Sequence, residues 1–347
     1  MNHRLLSGRS QVQLPPGTPT YYSYMRLHTS IFFLIAALSL QSLFADPANS
    51  SKNEDVVLHI VGDIHGESAI KREALPELRK YFKSGDLNIF NLETAVTGEV
   101  TKEEKEYNFK TDLAFLKELK KIGFNVATVA NNHSYDYGLP GFLDTLQNLR
   151  RADISYVGGG RNSESAYQGR VYKVHGVKVG ILGFAKVNGG PDSIATEDKP
   201  GITNGYDVGS TERAITRLRK LTDVLIVLAH WGEEGSFCPR NFETASAKKW
   251  LSLGADIIVG SHTHTLQQIT LEENKLVAYS LGNFIFYSSK VENRSTGILK
   301  IRISPEKKIS YKLIPFTINN LTKVPERNFG PVPEATDCQN QENTTVR

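Results

Sequence analysis

The stretch Val56-Val57-Leu58-His59-Ile60-Val61-Gly62-Asp63-Ile64-His65 sets an apolar, β-branched run directly against an acid and a histidine. The apolar run Val56–Val61 reads as a strand, and the polar residues after it mark the turn into a loop. The same arrangement recurs down the chain. Leu87–Phe90 leads into Asn91-Leu92-Glu93, and Asn125–Ala130 into Asn131-Asn132-His133. Val224–Ala229 leads into His230, and Ile257–Gly260 into His262-Thr263-His264. Ala69–Phe82, Asp112–Ile122 and Gly141–Arg151 have helical spacing, with Leu113, Leu116 and Leu119 three residues apart. Strands alternating with helices define an α/β chain.

The rhythm then changes. Ile154–Val157 is a further strand, and Arg170–Val174 and Val177–Phe184 flank His175-Gly176 as a hairpin. Lys186–Tyr206 reads as a long loop around Gly189-Gly190-Pro191. Ile269–Pro315 is strand-rich. A βα half followed by a β-rich half predicts two sheets packed face to face, in a single domain over 55–316 with a tail over 317–347.

Residues 1–45 stand apart. Met25-Arg26 precedes the short apolar run Ile31–Leu38, and Ala45 is a small residue at a suitable cleavage position. That order describes a secretory signal, and the run is short of the roughly 20 residues that span a bilayer. The expected location is periplasmic or cell-surface, with a retained membrane anchor as the alternative. Of the net charge of +4, Arg4, Arg9 and Arg26 supply three, leaving +1 for the remainder. So little basic excess argues against a nucleic-acid partner. Cys238 and Cys338 are far apart and without CxxC spacing. An oxidising compartment permits a disulfide between them; two free buried thiols are the alternative.

In an open α/β sheet the carboxyl ends of neighbouring strands meet at one crevice, which would gather these polar strand ends. Asp63 and His65, like His262 and His264, are two residues apart, so in extended backbone each pair points to one side. Two carboxylates, several histidines and an amide exceed one tetrahedral site and suit two divalent ions. Imidazole with carboxylate oxygen favours Zn, Mn, Fe or Ni over Ca or Mg.

Asn91-Leu92-Glu93-Thr94, Ala130-Asn131-Asn132-His133 with Asp136-Tyr137-Gly138, and Val157-Gly158-Gly159-Gly160-Arg161-Asn162 resemble the CapA family of capsule and poly-γ-glutamate synthesis proteins. His230-Trp231-Gly232-Glu233-Glu234, Gly254-Ala255-Asp256 leading to His262-Thr263-His264, and Tyr279-Ser280-Leu281-Gly282-Asn283-Phe284 continue the resemblance in order over Val56–Tyr287. That family is similar to the calcineurin-like metallophosphoesterases. The resemblance implies a four-layer αββα sandwich of two mixed β-sheets. It also implies that Asp63, His65 and His264 hold one metal, that Asn132, His230 and His262 hold the other, and that Glu93 bridges them. His133 would assist the leaving group, oriented by Asp136. Glu93 departs from the phosphoesterase pattern, which has Asp there; His65 and Thr263 depart from common CapA patterns.

The resemblance implies an exported, metal-dependent hydrolase of an anionic small-molecule or polymer substrate, phosphoesterase-like or cutting an amide. It also implies a membrane-associated polymer synthesis complex as a partner. The alternative is a non-catalytic cell-envelope assembly factor. Gly158-Gly159-Gly160-Arg161 reads either as an anion-binding nest or as a turn into a helix capped by Asn162 or Ser163. Asn283 is either a donor behind the metals or structural, Trp231 packs, and Glu233 and Glu234 are bases or a solvated loop.

Overall fold

The computed structural model describes residues 54–288, 290–328 and Cys338. The signal-like segment 1–45 and most of the tail lie outside them. Strand β1 (Val56–Ile64) is central to an eight-stranded mixed sheet. Parallel to it in succession run β2 (Leu87–Leu92), β3 (Val126–Thr128) and β4 (Ser155–Val157). The hairpin strands β5 (Arg170–Val174) and β6 (Val177–Ala185) belong to a second sheet of six strands. There β7 (Val224–His230) and β8 (Ile257–Ser261) lie parallel to β6. Strands β9 (Ile269–Glu272) and β10 (Lys275–Ala278) complete that sheet. The chain then returns to the first sheet as β11 (Asn283–Ile285), β12 (Ser295–Ile303), β13 (Ile309–Ile318) and β14 (Pro325–Arg327).

Side-chain alternation builds the layers. In β7, Val224, Ile226 and Leu228 join Leu58, Ile60 and Ile89 in the core between the sheets. Leu225, Val227 and Ala229 point the other way, onto a core shared with the helices that cover the second sheet. Both faces of these central strands are buried, which explains their unbroken apolar reading. Helices α1 (Leu113–Ile122) and α2 (Gly138–Arg151) cover the outer face of the first sheet. A short α3 (Ser163–Ala166), then α4 (Val208–Arg219) and α5 (Asn241–Ser252), cover the second. The result is the four-layer αββα sandwich the resemblance implies.

Local chemistry sets the element ends. The Asp112 carboxylate caps α1 by accepting from Phe115 N–H at 2.9 Å. Asn162 caps α3 through Ser165, so the glycine run before it is a turn into a helix. The hairpin at His175-Gly176 has φ of 46° and 87°, which glycine favours at its second place. Two expectations need correction: the tail expected over 317–347 begins too early, since β13 runs to Ile318 and β14 pairs with it, and Ala69–Phe82 is not a continuous α-helix. Pro76 removes an N–H and crowds the preceding turn, so Arg72–Leu78 winds as a 3-10 helix and only Arg79–Phe82 closes an α-turn. The Lys186–Tyr206 loop carries a two-residue strand, Gly201–Ile202, paired with Gly159–Gly160. Cys238 and Cys338 form a disulfide, with Cα atoms 5.6 Å apart.

Candidate metal centre

The carboxyl ends of β1, β2 and β3 in one sheet and of β7 and β8 in the other open on one end of the sandwich. Alternation then aims the residues. Leu87 and Ile89 face the inter-sheet core, so Asn91 does as well; Val224, Ile226 and Leu228 do the same for His230. In β1 the register against β2 shifts between Ile60 and Asp63, so Asp63 pairs with Asn91 and shares its face. Gly62 makes room for this: a Cβ there would stand 1.8 Å from the Gly282 carbonyl oxygen. That carbonyl accepts from Asp63 N–H at 2.9 Å, seating the Tyr279–Phe284 turn under the site.

Two groups of ligating atoms result, Glu93 with His230 and His262, and Asp63 with Glu93 and His264. Within each group the atoms lie within 4.8 Å of one another. Glu93 is common to both and fully buried. Its Oε1 stands 3.6 Å from His230 Nε2 and 4.0 Å from His133 Nε2, and has no hydrogen-bond partner among the described residues. Asn132 Oδ1 lies 2.7 Å from His230 Nε2, converging on the same space. Asp63 Oδ2 is 3.3 Å from His264 Nδ1. His262 and His264 hold φ of 91° and 59°, a left-handed conformation costly for any non-glycine residue and concentrated at functional sites.

The electrostatics are those of a cage built for positive charge. Burial pushes His262 down to about 3 and His230 well below the ordinary histidine range, with neighbouring imidazoles adding to both. Their lone pairs are therefore free for a metal. Burial and the Asp63 charge push Glu93 well above the usual carboxylate range. Burial opposes a charge on His264, but its hydrogen bond to Asp63 and that carboxylate's charge outweigh it and raise the pKa. A buried acid that resists ionising, beside histidines that resist protonating, is a setting that a bound cation would stabilise. The orphaned Glu93 Oε1 and His262 Nδ1, both buried, are the atoms such an ion would satisfy. The donor set fits divalent transition metals.

His65 lies beside the cage and outside both groups. Its Nε2 accepts the Tyr287 N–H at 2.8 Å, its ring packs against Phe109 and Phe286, and its buried Nδ1 has no partner. His133 is held at Nδ1 by Asp136 Oδ2 at 2.8 Å, which leaves Nε2 facing Glu93. Asn283 Oδ1 is 2.8 Å from His264 Nδ1. Trp231 is fully buried and stacks on Trp250. A cleft of about 440 Å³ opens at His65, His133 and His264, between the rings of Tyr107, Phe109, Phe286 and Tyr287, with Glu234 at its margin.

Four supporting residues escape the sequence reading. The Asn91 amide nitrogen reaches Asp63 Oδ1 at 2.8 Å and His230 Nδ1 at 3.3 Å. Asn131 donates to Asn91 Oδ1 at 3.0 Å, and Ser261 Oγ stands 2.9 Å from His230 Nδ1. Period-two alternation from Ile89 and Val259 would have found Asn91 and Ser261. Lys105, ion-paired to Asp136 and donating to the Asn132 carbonyl at 2.8 Å, sits in an irregular segment with no such signal.

The chain matches the bacterial capsule synthesis protein family PGA_cap over residues 52–288. It is 31% identical to the capsule biosynthesis protein CapA of Bacillus anthracis, over 82% of this chain and 73% of that one. It is 29% identical to the PGA biosynthesis protein CapA of Bacillus subtilis, over 85% and 80%. The solved 5'-nucleotidase of Candida albicans is similar at 13% identity and a TM-score of 0.45, over 78% of this chain and 52% of that one, a likeness too loose to carry an argument. On the extent of the first match, the chain belongs to the PGA_cap family of bacterial capsule synthesis proteins.

Proposed function

We propose that this protein is an exported, two-metal hydrolase acting on an anionic substrate in the making or processing of a capsule-type polymer. The observation that carries the reading is Glu93, a fully buried carboxylate shared by two ligand groups with one oxygen unsatisfied. Asp63 and His264 would hold one ion, His230, His262 and Asn132 the other, with Glu93 between them. His65 Nε2 accepts the Tyr287 N–H, so the neutral ring carries its proton on Nδ1, and His65 would join the first ion only by giving up that bond. When bound, such ions supply Lewis acidity towards an anionic oxygen and acidify water.

The chain's own residues do the rest. Asp136 takes the Nδ1–H of His133 and turns Nε2 to the cleft, where the ring would take up a second proton from water and pass it to a departing oxygen. Phe109 and Phe286 wall the histidines and exclude water. The same cage serves a phosphoester or an amide carbonyl, so the scissile bond is chosen by the cleft. Relatives named for capsule and PGA biosynthesis support a polymer context. The Cys238–Cys338 disulfide supports an oxidising compartment. Among the described residues no helix is long and apolar enough to cross a membrane. A membrane-associated synthesis complex is the partner this reading implies.

The test is elemental analysis of purified protein together with turnover of bis(p-nitrophenyl) phosphate and of a γ-glutamyl anilide. About two ions per chain and metal-dependent turnover of either compound are expected. Metal-free protein that takes up no ion and turns over neither compound would leave the assembly-factor reading in place.

A further inference from the structure

Away from the metal cage, the short helix α3 has cations on both flanks. On one side Arg150, Arg161 and Arg170 line a hollow of about 170 Å³ with no acidic residue among the described residues of its wall. On the other, Arg213, Arg217 and Lys220 line a groove along α4 where Glu164 is the only acid among the described wall residues. All six cations are exposed, and no ion pair involves them among the described residues. Elsewhere on the surface, arginines such as Arg219, Arg240 and Arg302 are paired with carboxylates.

The arginines are placed by the fold. Arg150 and Arg170 approach the same Tyr156 ring, at 5.7 and 5.8 Å from its centroid. The Arg150 guanidinium donates to the Tyr156 hydroxyl at 2.7 Å and Arg170 Nε to its carbonyl at 3.5 Å. Arg217 donates to the Tyr167 carbonyl at 2.7 Å, and Arg213 to Ser210 Oγ at 2.9 Å. Like charges fixed around one ring with no acid between them repel, and an incoming anion relieves that repulsion. Because the guanidinium groups of Arg150, Arg170, Arg213 and Arg217 are already anchored, they lose little side-chain freedom when it binds.

We infer that this face is a docking surface for a polycarboxylate chain, distinct from the metal centre and independent of whether that centre turns over substrate. A chain with repeated carboxylates engages both flanks of α3 at once, where a single small anion would meet one weak surface contact. A nucleic acid fits poorly. Tyr156 and Tyr167 are buried, so the face offers no aromatic platform for bases.

The test is fluorescence anisotropy of the full chain with labelled poly-L-glutamate. Saturable binding that weakens as salt rises is expected. Arg150→Gln/Arg161→Gln/Arg170→Gln should weaken it by roughly tenfold at an unchanged Tm. Arg213→Gln/Lys220→Gln, which leaves the Tyr156 contacts intact, should weaken it by about threefold. Removing three charges elsewhere, as Lys83→Gln/Lys117→Gln/Lys308→Gln, should change it less than about twofold. The inference is overturned if no saturable binding is seen, if the arginine and lysine triples lose equally, or if a single-stranded oligonucleotide of equal charge binds more tightly.

Discussion

Asn91 places its amide nitrogen 2.8 Å from Asp63 Oδ1 across a parallel strand pair, joining the first carboxylate of the cage to the end of the second strand. The same amide lies 3.4 Å from Glu93 Oε2 and 3.3 Å from His230 Nδ1, so one side chain spaces three proposed ligands. Asn91→Leu keeps the volume and removes the donor, leaving buried acceptors unpaired. A loss of about 1–3 kcal/mol in stability and weaker metal retention are expected. Thermal unfolding and metal analysis after dialysis check it; unchanged values in both would contradict the role.

The disulfide gives a second prediction. Cys238 lies in the loop after His230, which carries Glu234 to the cleft margin, and its partner Cys338 is 100 residues on. Bridging so long a loop limits the unfolded chain, so Cys238→Ser with Cys338→Ser should cost about 2–5 kcal/mol. That corresponds to roughly 5–15 °C in Tm for a domain of this size. Scanning calorimetry of the double variant measures it, and a Tm within a degree of the parent would show that the bridge does not constrain this fold.

Much of this centre is legible in the sequence, because strand ends concentrate ligand types and parallel strands converge. Asp63, Glu93, His230, His262 and His264 all come together from that logic. What escapes it is long-range. No local pattern shows that Tyr287 N–H binds His65 Nε2, which occupies the neutral ring's one lone pair, or that Lys105 reaches Asp136. The proline in Arg72–Leu78 is visible, but the helical spacing around it masks its effect. Pairing of the two cysteines depends on chain paths that spacing alone does not contain.

Acid sensitivity of metal-depleted protein follows from the buried histidines. Burial drives His65 and His262 down to about 3 from an ordinary 6.5, so the folded form refuses protons that the unfolded chain accepts. For a lowered histidine, stability is intact above pH 6.5 and is lost as pH falls below it. At pH 5 each such ring costs about 2 kcal/mol. His230, also lowered, adds to this, while His264 and Glu93, both raised, act in the opposite sense and offset part of it. Tm should fall on going from pH 7.5 to 5; a flat profile would mean that these rings are protonated or solvated in the folded state.

Ligands and the leaving-group residue should fail differently when changed. Glu93→Ala or His230→Ala empties a position in the cage, so metal content, activity and the stability contributed by bound metal should fall together. His133 is tied to Asp136 and faces Glu93 at 4.0 Å without joining either ligand group. His133→Ala should therefore retain both ions and nearly all of its Tm while turnover drops by about 10²–10⁴-fold. The loss should shrink for p-nitrophenolate, which departs without a proton, and grow for an alkoxide leaving group, which needs one. If His133→Ala loses its metals together with its activity, His133 is a ligand and the division of roles is wrong. If it loses neither, His133 takes no part in turnover, and the proton for the leaving group comes from elsewhere in the cleft or from solvent.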